Sequence, residues 1–173
     1  KLREAGVETL VDARGLLSMG TSEIFGKIPR FLRALSRIAS AAREERPDVA
    51  VLIDYPDFHF RLSRRLHEQG IPLVYYIPPK VWAWRRSRVQ VLRERFIKVL
   101  SILPFEEEFL SREGVPVRYV GNPLVDELPM ELSREEARRQ LGFDERARVL
   151  VLMPGSRPSE VRNHWGVMLE AAA

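Results

Sequence analysis

The sequence predicts an α/β fold built on a parallel sheet, and three observations carry that prediction. The apolar runs do not alternate: residues 49–53 read Val-Ala-Val-Leu-Ile, residues 73–77 Leu-Val-Tyr-Tyr-Ile, and residues 148–153 Arg-Val-Leu-Val-Leu-Met. Unbroken runs of this length suit strands buried on both faces. Strand patterns alternate with helical ones along the chain, which calls for right-handed crossovers between parallel neighbours. Gly70, Gly114 and Gly142 each follow a helical pattern, where a C′ glycine ends a helix.

Taken in order, residues 1–5 read as the end of a helix capped by Gly6, and residues 7–11 as a short strand. Residues 12–20 read as loop, with Gly15 and Gly20 as breakers. Residues 21–46 form a long helical pattern that Thr21 or Ser22 would cap. Ile24, Phe25, Ile28, Phe31, Leu32, Leu35 and Ile38 recur at spacings of three and four, giving one apolar stripe. Arg14, Lys27, Arg30, Arg33 and Arg37 lie close to it, and Pro29 should kink or split the helix. The stripe suits core packing; it also suits a basic amphipathic element on a membrane.

The run at 49–53 ends in Asp54-Tyr55-Pro56-Asp57, so two carboxylates stand where ligands bind in open α/β sheets. Taken alone, they equally suit a turn or a helix cap. A helix follows over residues 58–69, then the strand at 73–77, which two prolines end. Trp82 and Trp84 come next, beside Arg85, Arg86 and Arg88. Two residues apart, the tryptophans cannot share a helix face; either one packs inward while the other faces a cleft or interface, or both pack as anchors of the loop. A helix over 85–95 and a strand over 97–103 follow. Pro104 opens a helix carrying Glu106, Glu107 and Glu108 near its positive end. Residues 117–120 are a short strand leading into Gly121-Asn122-Pro123-Leu124. Ser133-Arg134-Glu135-Glu136 is a capping box. The polar stretch 126–133 reads as a linker, and the strand at 148–153 would begin a second α/β domain. That strand feeds Pro154-Gly155-Ser156-Arg157 and a helix. Gly155 would let the backbone approach a ligand, and Arg157 offers a charged fork to a diphosphate. The spacing is not that of a P-loop, and an ordinary βα turn fits the same residues.

Composition narrows the classes. The chain has 173 residues, 45% hydrophobic and 30% charged, which describes a globular protein. It has no cysteine, so disulfides and thiolate metal sites are excluded. His59, His67 and His164 lack metal-site spacing, and no structural metal is expected. No apolar stretch approaches the roughly 20 residues that span a bilayer. A net charge of +4 suggests an anionic partner. The chain starts and stops within helical patterns, which predicts an internal piece of a longer protein.

Together, Met19-Gly20, Ile53-Asp54-Tyr55-Pro56-Asp57-Phe58, Pro78-Pro79-Lys80-Val81-Trp82-Ala83-Trp84-Arg85, Leu103-Pro104-Phe105-Glu106, Val120-Gly121-Asn122-Pro123-Leu124 and Pro154-Gly155-Ser156-Arg157 resemble the lipid-A-disaccharide synthases, bacterial glycosyltransferases of GT-B type. The resemblance spans nearly the whole chain. It implies two Rossmann-like domains facing across a cleft. Residues 1–126 would be an incomplete acceptor-side domain, 127–147 a linker with a connecting helix, and 148–173 the start of the nucleotide-sugar domain. It implies transfer of diacylglucosamine from UDP to lipid X, forming a β-1,6 disaccharide with inversion and without a metal or other cofactor. The partners implied are UDP-diacylglucosamine, lipid X and an anionic membrane surface, with the protein peripheral on the cytoplasmic face of the inner membrane.

Residue by residue, the resemblance implies Asp57 as general base and Asp54 as an orienting group. Arg157, with Ser156 and Gly155, falls at the diphosphate. Trp82, Trp84, Arg85 and Asn122 fall among substrate-binding positions. Ile24, Phe25, Ile28, Phe31 and Leu32 would meet lipid. The sequence departs from the family pattern at His59, where Asn is usual, at Asn122, where His is common, and at Pro158, where Gly is often seen. The isolated chain is expected to be inactive. A basic nucleic-acid-binding module is the competing class, but no nucleic-acid motif accompanies the tryptophan–arginine stretch, and no nucleic-acid partner is expected. A non-catalytic Rossmann-like interaction domain, or a GT-B transferase for another UDP-sugar, would also suit the pattern of strands and helices.

Overall fold

The computed structural model describes residues 6–12, 24–128 and 131–173, with side chains of the first helix described from Ile28 onward. The expected helix end at 1–5, the loop at 13–20 with Arg14 and Met19-Gly20, the cap at Thr21 or Ser22, the side chains of Ile24, Phe25 and Lys27, and Pro129 lie outside the described residues. Contacts divide the chain into two compact units, Lys1–Glu127 and Leu128–Ala173.

The first unit is a Rossmann-like layer of four parallel strands, β1 (Ala50–Ile53), β2 (Leu73–Tyr76), β3 (Lys98–Ser101) and β4 (Val117–Tyr119), in the order β1-β2-β3-β4. Register brings Leu52 beside Tyr75, Tyr75 beside Val99 and Val99 beside Val117. These four are buried. Helices α2 (Pro56–Glu68), α3 (Arg88–Arg95) and α4 (Pro104–Arg112) are the crossovers, and α1 (Ile24–Glu45) packs on α2. Ala34, Leu35 and Ala39 of α1 join Phe58, Leu62 and Leu66 of α2 in the core.

The pattern at 49–53 predicts burial on both faces, and the structure corrects this: Val49, Val51 and Ile53 are exposed. The physical reason is winding. Each crossover steps the same way along the sheet, and right-handed steps in one direction put every crossover helix on one face. The other face, with Val51 and Ile53, has no helix layer from these crossovers.

Other differences are local. Residues 7–11 form no strand, and β1 has no second strand on its outer edge among the described residues. Pro29 does not split α1, which runs unbroken through it. At the sixth helical residue it removes one hydrogen bond near an end. Helix α2 starts two residues before 58, with Pro56 in its first turn. Helix α3 starts at Arg88, because Arg85 has φ 52°, outside the helical region.

The short α5 (Pro123–Asp126) closes the first unit, and the second holds α6 (Arg134–Gln140) and α7 (Pro158–Ala172). Ser133 and Glu136 form the expected capping box. Residues 148–153 form no strand. A strand exists only by pairing, and the described residues of this unit offer it no partner strand.

Candidate active site

The carboxyl ends of the strands carry the chemistry-bearing residues. At the end of β1 the Asp54 N–H donates to the Tyr76 carbonyl at 2.9 Å, the last bond of the ladder. The chain then passes through two consecutive left-handed residues, Asp54 at φ 51° and Tyr55 at φ 42°. Each costs on the order of 1–3 kcal/mol for a side-chain-bearing residue, and such strain concentrates at functional sites. Here it is held by two donors on the Asp54 carbonyl. The Tyr75 hydroxyl donates to it at 2.8 Å, and His59 Nδ1 at 2.6 Å, which puts the imidazole proton on Nδ1. Burial raises the Tyr75 phenol and lowers the His59 imidazole. The Asp54 carboxylate has no hydrogen-bond partner among the described residues.

The turn delivers Asp57 to the first turn of α2, where the helix dipole favours a carboxylate. Arg85 Nη1 donates to Asp57 Oδ1 at 3.0 Å, and Arg88 Nη2 donates to the same oxygen. Both guanidiniums thus converge on Oδ1, leaving Oδ2 without a hydrogen-bond partner among the described residues. Arg88 is the inner member, its side chain 17% exposed against 54% for Asp57, and its guanidinium lies 5.2 Å from the Phe60 ring centroid. The sequence marks Arg88 only as part of a basic cluster. Its spacing from Arg85 carries no helix-face signal, because Arg85 at φ 52° stands outside α3, so nothing local in the sequence singles it out.

The stretch 78–87 brings Arg85 there. Val81 is buried beneath it. Trp82 packs edge-on against Phe105 at 5.1 Å, and its indole Nε1 donates to Glu106 Oε1 at 3.2 Å. Trp84 is 69% exposed. Trp82, itself 42% exposed, anchors the loop through these two contacts, and Trp84 is presented outward. Glu106 is buried at 2% exposure, and burial raises its carboxyl above the usual value. Its place near a helix dipole is legible in the sequence; its burial follows from its spacing to Phe109 and Leu110, which puts it in the inward stripe of α4.

Asn122 caps α5, its Oδ1 accepting from the Leu124 N–H at 3.1 Å. The structure thus gives its side-chain oxygen a backbone partner.

In the second unit, Gly155 has φ 113°, and a Cβ there would meet Glu160 Oε2 at 2.6 Å. The N–H groups of Ser156 and Arg157 both donate to Glu160 Oε2 at 3.1 Å, and Arg157 Nη1 donates to Oε1 at 3.3 Å. The Arg157 N–H is the main cause holding the Glu160 carboxyl below its usual range. The donors expected at a diphosphate are therefore engaged by this chain's own carboxylate.

On α1, Ile28 and Leu32 are exposed, beside exposed Arg30, Arg33 and Arg37. Phe31, also expected to meet lipid, packs in part against α2. It is half-buried, edge-on to Phe58 at 5.1 Å, with the Arg61 guanidinium 5.5 Å from its ring centroid. It lies on the helix side that also carries Leu35 and Ile38, so packing on α2 claims it. Among the described residues no helix is long and apolar enough to cross a membrane.

The same chain matches known proteins over its whole length. The family model described as lipid-A-disaccharide synthetase matches residues 1–173. The chain is 45% identical over 172 residues to the lipid-A-disaccharide synthase of Myxococcus xanthus, covering 99% of this chain and 45% of that protein. It is 43% identical over 171 residues to that of Solibacter usitatus and 40% over 172 residues to that of Geobacter sulfurreducens, with the same coverage. The chain spans a little under half the length of these curated relatives.

Proposed function

The chain belongs to the lipid-A-disaccharide synthase family, and from that premise we propose that its full-length parent transfers 2,3-diacylglucosamine from UDP to lipid X. The observation that supports this reading most is the Asp57–Arg85–Arg88 cluster at the carboxyl end of a parallel strand, behind a strained turn.

In this reading the 6-hydroxyl oxygen of the acceptor attacks the anomeric carbon of the donor. A new C–O bond forms as the bond from that carbon to the UDP oxygen breaks, and the electron pair leaves with UDP. Displacement from the opposite side inverts the anomeric centre. Asp57 takes the hydroxyl proton on Oδ2, the oxygen its arginines leave open, as a positioned general base. Arg85 and Arg88 orient the carboxylate, and the exposed Trp84 lines the acceptor side. Asp54 shapes the strand end through its own strained backbone. Arg157 stabilises charge on the departing diphosphate, so the reaction proceeds without a metal. For that, Glu160 must release the Ser156 and Arg157 donors. The first unit serves the acceptor and the second begins the nucleotide-sugar domain. The exposed Ile28 and Leu32, with Arg30, Arg33 and Arg37, hold the protein on an anionic membrane surface at the cytoplasmic face of the inner membrane.

The test uses the full-length parent with UDP-diacylglucosamine and lipid X in detergent and chelator. Disaccharide and UDP should appear, and folded Asp57→Ala should lose at least about a hundredfold in kcat, within the range of general-base removal. Arg157→Ala should lose a comparable factor. A folded parent that makes no disaccharide would overturn the substrate assignment; wild-type turnover by Asp57→Ala would remove the general base.

A further inference from the structure

We infer that Glu106 is a positioning residue for the catalytic carboxylate: through its hydrogen bond to Trp82 it fixes the turn from which Arg85 reaches Asp57. This rests on the reading of Asp57 as the general base.

Glu106 is an unusual place for a carboxyl group. It stands in the first turn of α4, buried at 2% exposure, with Oε1 accepting from the Trp82 indole. Its second oxygen, Oε2, is buried with no hydrogen-bond partner among the described residues. A buried carboxylate with an unpartnered oxygen costs stability, so it needs an explanation. Oε2 is closed to solvent, so direct contact with substrate does not account for it.

Besides the backbone at Ile102 and Leu103 just before α4, what Glu106 touches is the loop. Trp82 is held at its Nε1 by Glu106 and at its ring by Phe105, adjacent residues at the start of α4. The segment between Trp82 and Arg85 is a tight turn: the Ala83 and Trp84 N–H groups both donate to the Lys80 carbonyl. Arg85 follows directly at φ 52°, a conformation that a non-glycine residue keeps only when its surroundings impose it. The Arg85 side chain is 61% exposed, and its only hydrogen bond among the described residues is the one to Asp57. The turn sets where the Arg85 backbone stands, and from there the side chain reaches Asp57. The link runs from Glu106 to Trp82, along the turn to Arg85, and from there to Asp57.

The experiment uses the full-length parent. Glu106→Leu removes the acceptor at similar volume, and Glu106→Gln keeps an acceptor for the indole. Glu106→Leu should lose about tenfold in kcat with KM for both substrates within about threefold, the pattern of a misplaced catalytic group. Glu106→Gln should recover most of that loss even where its thermal midpoint falls. In an Arg85→Ala background, Glu106→Leu should cost nothing further, because both changes break one chain of contacts. Multiplying losses, or wild-type kcat in a folded Glu106→Leu protein, would overturn the inference. Should Glu106→Leu fail to fold, Trp82→Phe deletes the donor instead and carries the same comparisons. A readout independent of turnover is the crystal structure of the folded variant. Arg85 should have left Asp57; an unchanged Arg85–Asp57 pair overturns the inference even if the parent proves to use other substrates.

Discussion

Asp54 and Tyr55 illustrate how much one pair of residues imposes on its neighbours. Their left-handed backbone turns the chain from β1 into α2 within two residues, and the Asp54 carbonyl is held by Tyr75 and His59. His59 has a measurable signature. Burial pushes its imidazole below the ordinary value of 6.5, outweighing the opposing pull of the Asp54 carbonyl. The native state therefore binds fewer protons than the unfolded chain between the two values. His59 leaves stability untouched above 6.5 and reduces it as pH falls through that value toward the lower folded one. Thermal melts of the full-length parent at about pH 7.5 and about pH 5.5 should show a loss on acidification that His59→Asn diminishes. An identical loss in the variant would show that other groups carry it.

Among the elements, α1 shows how one helix serves two environments. Leu35, Ala34 and Ala39 face α2, and Phe31 joins them on Phe58, while Ile28 and Leu32 remain exposed among arginines. The two sets should respond differently to substitution. Leu35→Ala should cost about 2–5 kcal/mol in denaturant unfolding, the usual range for a buried leucine. Ile28→Ser with Leu32→Ser should leave the unfolding midpoint nearly unchanged but weaken sedimentation with vesicles containing anionic lipid, and high salt should weaken it further. Equal vesicle binding by the double variant would remove α1 from the membrane surface.

For the whole molecule, the one-sided sheet is the dominant feature. Helices cover Leu52, Tyr75, Val99 and Val117, whereas Val51 and Ile53 on the other face are open. An apolar sheet face of this kind should bind the dye ANS in the isolated chain, and the full-length parent should bind far less per molecule. Equal binding per molecule would mean that the rest of the parent leaves this face open.

How much of this is legible in the sequence follows from range. The strands at 50–53, 73–76, 98–101 and 117–119, the crossover helices and the Ser133 capping box rest on local pattern, and the pattern announces them. Burial does not. The run at 148–153 looks as strand-like as the run at 49–53, but only the second has a neighbour with which to pair. The aspartate at 57 is visible as a candidate because it ends a strand. Its two arginines lie 28 and 31 residues further on, and Trp82 and Glu106 lie 24 apart. Nothing local distinguishes those arginines from their neighbours in the same stretch.

The sequence by itself determined the four paired strands and their crossover helices, the parallel α/β class and the family, because periodicity, capping residues and motif order are properties of neighbours along the chain. Only the tertiary structure decided which face of the sheet is covered, which tryptophan is anchored, which oxygen of Asp57 is open, and that Glu160 occupies the donors beside Arg157. Those outcomes depend on residues meeting across the fold, where crossover handedness, burial and competition for hydrogen-bond donors set the result.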